Sequence, residues 1–229
     1  MDKAYMALSS FTNNKSRQMI VGVSGYANSG KDTVGAIIQY LNCPKPSASI
    51  EEVCANYSEH EWWLDEQSDW EVRKFAGKLK DIASHLTGID IEDFEDQDFK
   101  KTNLGREWWT TCDEGYQPMT VRDFLQKLGT DALRNGLHEN VWVNALMADY
   151  TEESNWIITD TRFPNEAQAI KDKGGIIIRI ERPGHAPINS HPSETGLDSW
   201  KFDYKIINNS DIFTLKGSIK SILQHIKLI

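Results

Sequence analysis

Cysteine is scarce, and its spacing pairs none of it. Cys43, Cys54 and Cys112 make an odd number with no CxxC pair. That excludes a disulfide-stapled scaffold and suits a reducing cytosol. A zinc site has no support either, because no histidine lies at ligand spacing. No run is long and apolar enough to span a membrane, so the sequence predicts a cytoplasmic protein with no membrane partner. Residues 1–18 lack a signal-peptide apolar core and read as a loose, flexible tail ahead of the fold. Positive charge is also in deficit. The net charge is −9, from 25 Lys and Arg against 34 Asp and Glu, which argues against nucleic acid as a partner. It leaves room for a locally basic pocket that takes a small anion. No internal repeat, no guanine-reading NKxD and no apolar run ending in two acids occurs. What remains, 229 residues with 39% hydrophobic and 26% charged content, suits one compact α/β domain with a real core.

The most informative stretch is Met19 to Thr33, MIVGVSGYANSGKDT. Met19, Ile20, Val21 and Val23 are apolar and rich in β-branching, as a buried parallel strand requires. Gly25 and Gly30 follow at phosphate-loop spacing, with Lys31 next. The glycines let successive N–H groups turn inward around a phosphate. A helix over about 31–41 aims its N-terminus at the same point. The residue after the lysine is Asp32, and the hydroxyl comes one position late at Thr33. The usual hydroxyl ligand to magnesium is therefore missing from its usual place.

Strands and helices alternate beyond the loop. Residues 42–49 read as a loop, and 50–70 as an acidic, tryptophan-bearing helical excursion. A second strand is expected over 71–76 and a helix over 77–86, with Lys78, Lys80 and Asp81 near its start. Residues 105–118 show no period. Over 120–136 the sequence predicts a helix capped by Thr120 and Asp123, with an apolar stripe of Val121, Phe124, Leu125 and Leu128. Gly129 interrupts it, which points to a packing or ligand reason. Arg122, Gln126 and Arg134 face either a ligand or water. A helix over 139–150 carries Trp142, and its apolar residues read as core. Asn155–Asp160 is a strand ending in an acid. Ligands gather at such strand ends, so Asp160 would hold magnesium or orient Arg162, which would clamp a phosphate. A helix over 164–173, a strand over 176–180, a lid loop over about 182–200 rooted at Arg182, a strand over 204–207 and a closing helix over 212–226 complete the chain. The order implies a parallel sheet covered by helices on both faces, in a single domain over 19–229 with helical insertions over about 43–150.

An ordered set of motifs, SGYANSGKDT, FAGKLKD, VRDFLQKLGTD, VWVNALMADY, ITDTRFPNEA, IERPG and HPSETGL, resembles the bacteriophage deoxynucleoside monophosphate kinases of the P-loop nucleoside monophosphate kinase superfamily. The likeness runs from about Met19 to the C-terminus and is thin over 43–70 and 89–118. It implies an α/β P-loop kinase fold with a lid. It also implies transfer of the ATP γ-phosphoryl to a deoxynucleoside monophosphate with Mg²⁺, in the host cytoplasm, for DNA precursor synthesis. By that resemblance Gly25, Asn28, Ser29, Gly30, Lys31, Asp32 and Thr33 hold ATP. Lys80 and Arg122 match basic positions near the acceptor phosphate, with Asp81 beside Lys80. Gln126, Gly129, Thr130, Asp131 and Trp142 lie in the acceptor-side helices. Asp160 and Arg162 match the DTR strand end, Arg182 would steady charge on the transferring group, and His191 and Glu194 match a lid motif. Thr33 and Asp160 are the expected magnesium ligands. Lys78 stands where the family often has proline, which changes the expected start of that helix.

Phosphoryl transfer asks for in-line placement and charge neutralisation, with no covalent intermediate. Other readings are a phosphomevalonate-kinase-like small-molecule kinase and a nucleotide-binding switch that phosphorylates nothing. The tryptophans leave room for a homodimer.

Overall fold

The computed structural model describes residues 19–113, 115–186 and 192–229. The expected tail over 1–18 and His191 of the lid lie outside the described residues. Ile20–Ser24 forms β1, buried at every position, and the phosphate loop leads into α1 at Lys31–Leu41. Strand β2 is Trp70–Arg73, β5 is Asn155–Ile158, β6 is Ile176–Glu181 and β7 is Tyr204–Ile207. These five make one parallel sheet in the order β2-β5-β1-β6-β7, with β1 at its centre. Parallel strands buried on both faces read as unbroken apolar runs, which is why β1 and β6 were visible in the sequence.

Alternation along each strand divides the core. On one face Val21, Val23, Ile178 and Ile180 meet Val34, Ile37 and Ile38 of α1 and Leu215, Ile219 and Leu223 of α9, Ile212–His225. On the other, Ile20, Trp156, Ile158 and Ile177 meet Phe75 of α4 (Phe75–Thr87), Trp142 and Leu146 of α6 (Val141–Met147), and Ala167 and Ile170 of α7 (Pro164–Asp172). Each such aliphatic side chain, fully buried, contributes about 1.5–3 kcal/mol. The expected parallel sheet with helices on both faces is what the chain forms.

The departures are local. Residues 50–67 form two helices, α2 (Ile50–Ala55) and α3 (Tyr57–Gln67), the first opened by a Ser49–Glu52 capping box. Trp63 packs inward there and Trp62 is 65% exposed, while Trp70 begins β2. The expected strand over 71–76 stops at Arg73, because α4 already starts at Phe75. Thr110–Cys112 and Gly115–Gln117 form a small antiparallel hairpin, β3 and β4, exposed at every position. Strands wet on both faces leave no alternation to read.

The predicted helix over 120–136 is two structures. Val121–Gln126 is α5, started by the Thr120–Asp123 capping box. Lys127–Asn135 then continues as a π-helix, a wide-turned form that concentrates at functional sites. Gly129 has a packing reason to be glycine, since a Cβ there would lie 2.7 Å from Leu79 Cδ2 on α4. The loop expected to act as a lid contains one described turn of helix, α8, at Pro192–Thr195.

Candidate active site

The phosphate loop is shaped by two left-handed residues, Asn28 at φ 60° and Gly30 at φ 102°. Alternating hand turns consecutive N–H groups toward one concavity. Gly25 has no room for a side chain, because a Cβ would approach Ile180 O to 2.5 Å. Ser29 is buried and its Oγ has no hydrogen-bond partner among the described residues. An orphaned hydroxyl inside a ring of N–H donors fits an anion. Lys31 Nζ donates to Tyr26 O at 2.7 Å, closing the loop on itself. Burial, and then the field of Arg162, push the Lys31 ammonium down to about 8. Neighbouring strand ends brace the loop. Asn208 Nδ2 donates to Ser29 O at 2.9 Å and Arg182 Nη1 to Asn28 O at 3.3 Å.

Beside the loop, at the carboxyl ends of β2 and β5, lies a cavity of about 280 Å³. Asn28, Lys31 and Asp32 enter it from the loop and α1, and Thr159, Asp160 and Arg162 from the end of β5. Lys80 comes from α4, Arg122 from α5, Gln126, Gly129 and Thr130 from the α5–π-helix run, Trp142 from α6 and Glu194 from α8. The structure thus brings twelve expected site residues around one space. Trp142 Nε1 donates to Gly129 O at 2.9 Å, which ties α6 to the π-helix.

Asp160 has a clear structural partner. Its Oδ1 accepts from Phe75 N and its Oδ2 from Ala76 N, both at 2.8 Å. The first two donors of α4 are therefore capped by an acid from another strand, and α4 starts where Asp160 is. Asp32 accepts from Thr159 Oγ1 at 2.9 Å and pairs with Lys74 at 3.2 Å. Burial works to raise the Asp32 carboxyl, but Lys74, Thr159 and Lys31 outweigh it and hold the group below the ordinary range. Lys74 responds in kind. Burial would lower it, yet Asp32, Glu95 and Asp160 hold it above the ordinary lysine value. Arg162 pairs with Glu194 at 3.1 Å. Arg134, expected to face a ligand or water, lines the cavity but is mostly buried, paired with Glu166 at 2.6 Å and lying 3.8 Å over the Phe163 ring. Burial pushes the Glu166 carboxyl up to about 7, against Arg134 and the N–H groups of Arg162 and Phe163.

Other expected residues lie elsewhere. Thr33 and Arg182 line a second cavity of about 400 Å³ with Pro183, Asn208, Asn209, Ser210 and Asp211. Thr33 and Asp160 therefore do not share a cavity, whereas Asp32 and Asp160 do. Among the described residues no three acidic, histidine or cysteine side chains converge as a metal cage. A magnesium ion carried on a nucleotide needs only one or two carboxylates beside phosphates and water, which Asp32 and Asp160 fit. Asp81 and Asp131 are exposed and outside the first cavity, each one step along its helix from a residue that lines it.

Sequence reasoning missed Lys74, Glu95, Gln97 and Lys100, all lining the first cavity. Lys74 was legible once β2 was known to end at Arg73, because it then stands at a strand's carboxyl end. Glu95 and Lys100 come from a segment of short 3₁₀ turns with no period to place them.

The family model for deoxynucleotide monophosphate kinases matches residues 73–219. A protein of Acanthamoeba polyphaga mimivirus, provisionally named a deoxynucleotide monophosphate kinase, is 35% identical over 155 residues, 61% of this chain and 76% of its own. The deoxynucleotide monophosphate kinase of Enterobacteria phage T4 is 32% identical over 110 residues, 46% of each chain. The deoxynucleoside-5′-monophosphate kinase of Escherichia phage T5 is 24% identical over 229 aligned positions, 84% of this chain and 90% of its own. The matched span begins after the phosphate loop, holds the rest of the first cavity and covers more than half of the chain, so the chain belongs to the deoxynucleotide monophosphate kinase family.

Proposed function

We propose that the protein transfers the γ-phosphoryl group of ATP to a deoxynucleoside monophosphate, yielding ADP and the diphosphate. The observation that carries this reading is the single cavity into which both the phosphate loop and the acceptor-side cations open. The loop N–H groups, Ser29 Oγ and Lys31 take the donor phosphates. The donor base takes the second cavity, between Arg182 and the Asn208–Asn209 turn. Lys80 and Arg122 hold the acceptor's phosphate, and Arg162 steadies the transferring group between them. Trp142, Gln126 and Thr130 flank the acceptor nucleoside. Magnesium, held through Asp32 and Asp160, would neutralise phosphate charge. Glu194 keeps Arg162 oriented until substrates arrive. The chain's own groups then place the acceptor oxygen in line with the γ-phosphorus and exclude water, which limits wasteful hydrolysis.

The test is a coupled ADP-release assay with ATP and Mg²⁺, offering each deoxynucleoside and ribonucleoside monophosphate beside a no-acceptor control, with chromatography of products. Deoxynucleoside diphosphate formed only when an acceptor is present is the expected result. ADP without a phosphorylated acceptor would overturn the reading. Lys31→Ala should lower the rate by about 10²–10³, as loss of one strong transition-state donor does. Normal turnover in that variant would remove the loop from the mechanism.

A further inference from the structure

Seven cationic side chains line the first cavity, and four of them end on a carboxylate. Lys74 meets Asp32, Lys80 meets Glu95, Arg134 meets Glu166 and Arg162 meets Glu194. Among the described residues, the other three have no carboxylate within salt-bridge distance. Lys31 belongs to the phosphate loop. Arg122 rests on the Gln97 amide oxygen at 3.1 Å. Lys100 reaches only the main-chain oxygen of Glu95, at 3.5 Å. Lys100 stands on the 3₁₀ turn Phe99–Lys101 and Arg122 on α5, so two separate elements bring unneutralised charge to one side of the cavity. Burial, and the nearby charges of Lys80, Arg122 and Arg162, press the Lys100 ammonium down to about 8. Glu95 offsets this only in part; like charges held together with too few counter-ions are costly, and a dianion removes that cost.

One carboxylate already stands in this cluster. Glu95 is bonded to Lys80 and lies 3.8 Å from Lys74, yet its side chain is 52% exposed. It belongs to the same turn-rich segment as Lys100. Such an anion satisfies the lysines and still has solvent to move into.

We propose that Lys100 is a direct ligand of the acceptor's phosphate, beside Arg122, and that Glu95 is the resident anion which this phosphate displaces from Lys80. The proposal deepens the kinase reading and rests on it. The segment carrying both residues is then part of the acceptor site, with one member attracting the phosphate and the other competing with it. Glu95 sets a threshold. A phosphate must outcompete a tethered carboxylate, which weak anions such as free inorganic phosphate do poorly and a nucleotide anchored by its base does well.

The experiment compares the wild type with Lys100→Gln, Lys100→Arg and Glu95→Gln. It uses steady-state kinetics with the best acceptor, binding of the same monophosphate without ATP, and inhibition by inorganic phosphate. Lys100→Gln should raise the acceptor KM about 10- to 100-fold, the loss of one charge-assisted contact, with the KM for ATP unchanged. Lys100→Arg should recover part of that loss. Glu95→Gln should tighten the monophosphate and make inorganic phosphate a stronger competitor against the acceptor only. An unchanged acceptor KM in Lys100→Gln at wild-type thermal midpoint would overturn the role of Lys100. Weaker acceptor binding in Glu95→Gln would overturn that of Glu95, and if Lys100→Gln does not fold, Lys100→Met is read in the same way for Lys100. Wild-type protein that binds ATP but no monophosphate would instead strike the kinase reading itself, a distinct result that also ends the proposal.

Discussion

Replacing Asp160 with asparagine isolates a contact on which the acceptor side depends. The carboxylate is 8% exposed and takes two main-chain N–H groups, Phe75 N and Ala76 N, at 2.8 Å each. Asparagine keeps one acceptor oxygen and turns the other into an NH₂ that faces an N–H. One bond to a charged acceptor is lost, worth about 1.5–3 kcal/mol. The negative charge at the start of α4 goes with it, worth about 0.3–1 kcal/mol more. The sum is about 2–4 kcal/mol, which for a domain of this size lowers the melting midpoint by roughly 5–15 °C. Calorimetry and urea unfolding of the wild type and Asp160→Asn measure it directly. With magnesium left out, the variant should also bind the acceptor less well than the wild type does, because α4, whose start it loosens, carries Lys80 and lies beside Lys74. A midpoint within about 1 °C of wild type would refute the capping argument, since the structure offers those two N–H groups no other partner.

The role proposed for Lys31 predicts ATP binding that depends on pH. Only the ammonium form attracts phosphate, and its free-state value is pushed down to about 8, so affinity should fall as pH rises through 8 and binding should take up protons. Titrations at pH 7.5 and 9.5 should differ in the wild type and converge in Lys31→Arg; equal affinities in the wild type would refute the link. Arg134→Met leaves Glu166 buried without its cation, at a cost of about 3–5 kcal/mol. Urea unfolding should show that loss and show Arg134→Met/Glu166→Gln to be more stable than the single variant. The Glu166 carboxyl is raised on folding, so the single variant's deficit should shrink as pH falls from 8 to 5, where the neutral form is favoured in the folded state. A deficit that does not change with pH would count against a buried, ionised Glu166.

The sequence disclosed what depends on local order. β1 and β6 show because both faces of each are buried, α9 because its stripe is periodic, and the Thr120–Asp123 box because both halves lie within one turn. The start of α4 was hidden because its cap, Asp160, lies 85 positions further along the chain. The π-helix was hidden because only its glycine marks it, and the reason for that glycine is Leu79 on another helix. In the site, the phosphate loop and the DTR strand end stood out by motif. Glu95 and Lys100 did not, since tertiary folding alone brings their segment to the cavity. Arg134 was ambiguous for a related reason: its partner Glu166 lies on α7, and no local rule pairs them.

The position of β1 in the sheet bears on how the protein is made. Its neighbours are β5 and β6, and the contact from Met19 N to Asn155 Oδ1 spans 136 positions. During synthesis the phosphate loop leaves the ribosome well before the strands that flank it. The nascent chain therefore carries an unpaired apolar strand while the intervening residues are made, at about 5–20 residues per second. Pairings this distant in sequence form slowly once they become available. The loop gains its neighbouring strands only when β5 and β6 dock on either side of β1. Assembly of the site around the loop thus waits for β6, and a truncation before β6 should yield a polypeptide unable to bind ATP.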